Sequence, residues 1–134
     1  MARAPEIAAA KGLPSADVEV LFPFDSSEIT PQAAESLMTL GRALADERLA
    51  GSKWVIAGHT DARGRAAYNL ALSNRRAEAV RGFLIENFKL KPDQLIARGF
   101  GESRLKDTAN PRGPANRRVQ IINWSSEVIS SPRQ

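Results

Sequence analysis

The chain has 134 residues, 43% hydrophobic and 25% charged, which describes one globular domain and excludes a disordered or fibrous segment. Its 19 basic and 15 acidic residues leave a net charge of +4, but the signs are interspersed and no Lys/Arg block exceeds two in a row, so nucleic acid is a poor match as partner. With no cysteine, disulfides, thiolate metal sites, a thiol nucleophile and a lipid-modified cysteine within the chain are excluded.

Residues 1–13 hold no apolar run of signal-peptide length, and no stretch approaches the roughly 18 apolar residues of a membrane-crossing helix. Any export or anchoring signal therefore lies outside this segment. The Ala-rich stretch 1–15, with Pro5 and Pro14, reads as a tail or linker, and the fold is expected to begin near Ala16.

Val18, Val20 and Phe22 alternate on one face and Pro23 follows, which predicts a strand over 18–22. Phe24-Asp25-Ser26-Ser27 is then a loop. Thr30-Pro31 starts a helix, because Thr caps orphan amides and Pro is tolerated at the first helical position. Ala33, Leu37, Leu40 and Leu44 continue at helical spacing and Gly51 stops it, giving one helix over 31–50.

Trp54-Val55-Ile56-Ala57 is almost wholly apolar and ends at Gly58, the pattern of a central strand covered on both faces. A loop with Gly64 leads to a second helix over about 68–87. Pro92 starts a turn, 94–98 forms a third strand, and 99–116, with three Gly and two Pro, is a loop. A last strand covers 118–124, and 125–134 is a polar tail. Strands alternating with helices predict a layer of helices on a sheet.

At about 100° per residue on the second helix, Leu72, Val80, Phe83, Leu84 and Phe88 share a face centred near Val80. Asn69, Ser73 and Arg76 project onto that face, whereas Asn74, Arg75 and Glu78 point away. An arginine there either snorkels off the core edge or has a partner. Asp61, just past the preceding strand, is that partner, and the two belong at the strand's carboxyl end, where α/β sheets bind ligands. The pair is either closed on itself or held open around a ligand. An arginine fork matches a carboxylate and an aspartate accepts from an ammonium, so a zwitterionic amino-acid terminus satisfies both. Each contact contributes roughly 1.5–3 kcal/mol before desolvation, which makes micromolar binding conceivable, whereas nanomolar binding needs much more surface.

Phe24-Asp25, Gly58-His59-Thr60-Asp61 with Gly64, Asn69, Leu72-Ser73 with Arg76-Ala77, Gly99-Phe100-Gly101-Glu102 and Asn116-Arg117-Arg118-Val119 together resemble the OmpA-like peptidoglycan-binding domains, the family of OmpA, Pal and MotB C-terminal domains. The match spans most of the chain; the family's usual Pro is replaced by Leu105, which touches only a loop. With the element order, the resemblance implies an α/β (α+β) two-layer sandwich: β-α-β-α-β-β, a mixed four-stranded sheet and helices packed on one face, over 16–124. It also implies that Asp61 and Arg76 grip the zwitterionic end of meso-diaminopimelate in the peptidoglycan stem peptide. Phe24, Asp25, Thr60, Asn69 and Arg117 are implied as pocket wall.

The remaining motif residues have structural expectations. His59, the sole histidine, rules out a His-rich metal site and is expected to hydrogen-bond at the strand end. Gly99-Phe100-Gly101 serves a tight turn, since it lacks the residues of a phosphate loop. Of Arg117 and Arg118, one faces the cleft and the other solvent. Trp54 and Trp124 are expected to pack rather than stack on sugars. A wall-cleaving enzyme needs a metal triad, an activated nucleophile or paired carboxylates; this chain supplies none, so a non-catalytic module without cofactor or metal is expected. The implied setting is the periplasm of a Gram-negative bacterium, at the outer membrane or cell envelope. The anchor, whether a barrel, a lipidated segment or a membrane helix, comes from a precursor region outside this sequence. The alternative is a protein-interaction module of an envelope complex of stator, Tol-Pal-like or secretion type.

Overall fold

Val20 in the first strand and Phe22, just past its end, are both buried in the main core cluster. The structure, a computed structural model, describes residues 15–123; of the expected tail 1–15, residues 1–14 lie outside the described residues and Ser15 instead opens the first strand, while Trp124 and the expected tail 125–134 also lie outside the described residues. The elements are β1 (Ser15–Leu21), α1 (Pro31–Leu44), β2 (Trp54–Gly58), α2 (Ala66–Phe88), β3 (Leu95–Gly99) and β4 (Arg118–Asn123). The sheet order is β1-β4-β2-β3. β4 is antiparallel to β1 and β2, and the α2 crossover makes β2 and β3 parallel. The sheet is therefore mixed, as expected.

Both helices cover one face. Val20, Trp54, Ile56, Leu95, Val119 and Ile121 meet Leu37, Leu40, Leu44, Val80 and Leu84 there in one buried cluster. Alternation sends Val55, Ala57 and Ile122 to the opposite face, where Phe100 packs on them. All five residues of β2 are buried, which fits a centre strand covered on both sides. Trp54 packs in the core, as expected.

Where element ends differ from expectation, side-chain hydrogen bonds decide. Thr30 Oγ1 accepts from Ala33 N at 3.1 Å and starts α1 as foreseen, but the helix stops at Leu44. Asp46 then caps a separate 3-10 turn, Glu47–Leu49, accepting from Arg48 N at 2.9 Å. Leu49 is still buried, so apolar spacing alone reads helix and turn as one. α2 starts two residues early behind Arg65, which makes no side-chain cap. Gln94 belongs to the 3-10 turn Pro92–Gln94, and its amide donates to Ser52 O at 3.0 Å. The long loop is ordered by buried Asn116, which accepts from Asp107 N at 2.8 Å and donates to Asn110 O at 3.0 Å.

β2 and β3 run toward the same end of the sheet, where Gly58 and Gly99 pair. Leu21 and Arg118 pair near that end, whereas Ser15 pairs with Ile122, and Trp54 with Asn123, at the other. Both boundaries of the described chain thus lie opposite the carboxyl end of β2. That end is held tightly: a Cβ on Gly58 would stand 2.0 Å from Ser73 O of α2. Backbone cannot yield as a side-chain tip does, so Gly58→Ala is expected to destabilise by about 3 kcal/mol, read from the urea midpoint. An unchanged midpoint contradicts this close approach.

Candidate functional site

A cavity of about 150 Å3 opens at the carboxyl end of β2. All seven residues implied by the sequence, Phe24, Asp25, Thr60, Asp61, Asn69, Arg76 and Arg117, line it, joined by Arg63, Gly64, Tyr68 and Leu72. Three loops and the first half of α2 supply them, which is why the polar half of that helix faces the same way as its apolar half.

Arg76 is 0% exposed. Its Nε donates to Ser26 O at 2.7 Å, Nη1 to His59 O at 2.9 Å and Nη2 to Pro23 O at 2.9 Å. The guanidinium also lies over the Phe22 ring, 5.3 Å from its centroid. The side chain neither snorkels outward nor closes on Asp61. It bolts the β1–α1 loop to the end of β2, and of its five N–H groups one on each terminal nitrogen is left outside these three bonds. Burial, reinforced by Arg117, lowers its pKa to about 10, so it stays cationic at neutral pH.

Asp61 is held by its own loop and by Arg117. Oδ1 accepts from Arg63 N at 2.9 Å, an Asx turn, and Oδ2 accepts from Arg117 Nη1 at 3.3 Å. Arg63 Nε stands 3.7 Å from Oδ2. Arg117 also donates from Nε to Phe22 O at 2.9 Å, so it faces the cleft. Arg118 departs from expectation, being 4% exposed rather than solvated. Alternation along β4 turns it to the sheet face away from the helices. The 99–116 loop covers it there: Nη2 donates to Arg104 O at 3.1 Å, and Nε pairs with Glu19 at 3.5 Å.

The other wall residues divide into anchored and open groups. Thr60 N donates to Gly101 O at 2.9 Å, while its buried Oγ1 has no hydrogen-bond partner among the described residues. Asn69 Nδ2 donates to Arg63 O and to Glu102 Oε1, both at 2.8 Å. Asp25 takes a left-handed backbone conformation with φ 55° and accepts from the Tyr68 hydroxyl, which holds that phenol above its usual range. Phe24 and Tyr68 are exposed at the rim, and the Arg63 guanidinium lies 4.2 Å from the centre of the Phe24 ring. Arg63 and Tyr68 escaped the sequence reading. The Asx turn of Asp61 carries a signal for Arg63, because an aspartate commonly accepts from the amide two residues on.

His59 turns away from the cavity. Its Nε2 lies 2.8 Å from Gln120 Oε1 and its ring stacks on Phe100 at 5.6 Å, the structural role expected. Burial, with Arg118 and Arg104 adding repulsion and Gln120 opposing, lowers its pKa from 6.5 to about 3. Above pH 6.5 the ring is neutral in both folded and unfolded chains. As pH falls from 6.5 toward 3 only the unfolded chain takes the proton, so stability declines through that window by about 1.4 kcal/mol per pH unit. Urea midpoints between pH 7 and pH 4.5 should fall more steeply for the wild type than for His59→Asn; parallel slopes contradict this.

Among the described residues no group of three or more His, Cys, Asp or Glu could hold a metal ion, and no helix is long and apolar enough to cross a membrane. The arrangement lines one cavity of about 150 Å3 with groups of opposite charge, Asp61 of one sign and Arg63, Arg76 and Arg117 of the other.

Residues 21–119 match the OmpA family. The chain is 36% identical over 102 residues to the peptidoglycan-associated lipoprotein of Pseudomonas putida, covering 75% of this chain and 59% of that protein. It is 35% identical over 105 residues to outer membrane porin F of Pseudomonas aeruginosa, covering 77% of this chain and 29% of that one. The chain thus spans less than two thirds of either curated relative. The crystal structure of the peptidoglycan-associated lipoprotein from Burkholderia pseudomallei shares the fold with a TM-score of 0.68 at 31% identity, covering 83% of this chain and 93% of that one.

Proposed function

This chain belongs to the OmpA family, and on that premise we propose that it binds peptidoglycan non-covalently and without catalysis, through the diaminopimelate of the stem peptide. The observation that carries the reading is Asp61 and Arg76 lining one cavity of about 150 Å3 without pairing to each other. The side-chain end of meso-diaminopimelate carries an ammonium and a carboxylate on one carbon. Its ammonium goes to Asp61 Oδ2, and its carboxylate to the remaining N–H groups of Arg76 and the Thr60 hydroxyl. Leu72 and Phe24 line the same cavity and suit the intervening methylenes. The names of the relatives, an outer membrane porin and a peptidoglycan-associated lipoprotein, support the setting: an envelope protein of a Gram-negative bacterium, associated with the outer membrane and fastened to the wall by this domain.

Sedimentation with purified sacculi tests the proposal. Diaminopimelate-type sacculi should retain the chain and free meso-diaminopimelate should release it. Lysine-type sacculi, whose third residue lacks the side-chain carboxylate, should retain little. Equal retention by both overturns the diaminopimelate reading.

A further inference from the structure

Glu102 lies outside the cavity wall, yet its carboxylate reaches the site through one residue. It follows Gly99-Phe100-Gly101, a segment fastened at both sides. Gly101 N donates to Ser73 Oγ at 2.9 Å and Gly101 O accepts from Thr60 N at 2.9 Å. A Cβ at Gly101 would sit 3.3 Å from the backbone of Leu70, and its φ is +56°, so the approach to α2 is one that glycine permits. The segment therefore delivers the Glu102 carboxylate to a fixed point beneath the first turns of α2.

At that point Glu102 Oε1 accepts from Asn69 Nδ2 at 2.8 Å, while the same nitrogen donates to Arg63 O at 2.8 Å and lies 3.4 Å from Asp61 O. An amide nitrogen has two hydrogens, and both are committed to acceptors of the protein. Asn69 lines the cavity and is 3% exposed, so its one uncommitted polar atom is the acceptor Oδ1. A side-chain amide with a single anchor still swings about its last torsion; with two anchors on the same nitrogen its plane and its direction are set.

We propose that Glu102 is a positioning residue for the ligand site, acting through Asn69: by taking the second amide hydrogen it fixes the side chain so that Oδ1, an acceptor, is offered to the ligand's ammonium beside Asp61. This rests on the peptidoglycan reading for the identity of the ligand and on the hydrogen bonds alone for the positioning. It also gives the Gly-Phe-Gly-Glu segment a function beyond turning the chain.

Titration of meso-diaminopimelate into the full chain, followed by calorimetry, tests it with three variants. Glu102→Gln keeps an oxygen acceptor and should bind within about twofold of wild type, whereas Glu102→Ala should bind about fivefold more weakly. Glu102→Lys presents donors only, turns the Asn69 oxygen toward itself and should bind weakest of the three. A Glu102→Ala variant that binds as wild type, or a Glu102→Gln variant as weak as Glu102→Ala, overturns the proposal. The Asn69 side-chain amide signals, measured by NMR without ligand, give a second readout. One of the two protons should lose its protection from exchange in Glu102→Ala and keep it in Glu102→Gln; equal protection in all variants overturns the positioning role. If the wild type fails to bind meso-diaminopimelate, the ligand assignment falls and the exchange measurement still decides the positioning.

Discussion

Arg76→Lys should unfold about 3 kcal/mol more easily than wild type although the charge is kept. The native guanidinium spends three separate nitrogens on the carbonyls of Pro23, Ser26 and His59, which belong to two chain segments and surround the side chain. A planar fork reaches all three; a single ammonium on a flexible stem cannot span them. Each charge-assisted bond contributes roughly 1.5–3 kcal/mol, and lysine forfeits about two of them, partly offset by its own regained hydration. The loop with Phe24 and Asp25 then loses its bolt, so ligand binding should fall with the fold. Urea denaturation is the measurement, and a wild-type midpoint for Arg76→Lys would show that the three carbonyls need no common donor. For the same reason, lost sacculus binding in Arg76→Ala says little about ligand contact unless stability is measured beside it.

Asp61→Asn separates binding from folding. Asparagine retains an oxygen for the Arg63 amide, now met at 2.9 Å, so the Asx turn survives and the chain still folds, but its amide nitrogen cannot accept from Arg117 Nη1 as Oδ2 does, so the urea transition should lose about 1–3 kcal/mol. What disappears is the negative charge beneath Arg117 and Arg63 and with it the counterion of a bound ammonium. Losing one charge-assisted contact of roughly 1.5–3 kcal/mol weakens binding about 10- to 100-fold, measured as Kd for meso-diaminopimelate. Undiminished affinity in Asp61→Asn would sink the assignment of the ammonium to this carboxylate.

The helical phase of Arg76, its alignment with Val80 and the strand-end position of Asp61 were readable because they depend on periodicity, which sequence carries directly. The order of elements was readable for the same reason. The partners of Arg76 were not, since all three are backbone carbonyls, which every residue owns and none advertises. The burial of Arg118 was equally silent: alternation told that it faces away from Arg117, but only the packed 99–116 loop makes that face an interior one. The end of α1 was hidden because Leu49 keeps the apolar rhythm across the break that Asp46 imposes, and the start of α2 because Arg65 gives no capping signal. Tyr68 joins the wall through Asp25, whose left-handed backbone is a feature that the residue type tolerates without announcing.

The placement of both boundaries of the described chain at the pole away from the cleft has a mechanical consequence. If the wall is gripped at the carboxyl end of β2 and the chain is held by a connection at Ser15 or Asn123, tension runs lengthwise through the sheet. β1 and β4 are antiparallel neighbours whose far ends meet at that pole, and their hydrogen bonds lie across the strands. Pulling along the strands from Ser15 loads that ladder in shear, and pulling from Asn123 loads the antiparallel β4–β2 ladder in the same way, so the bonds share the force and must give way together instead of peeling one by one. A tether attached beside the cleft would lack this resistance.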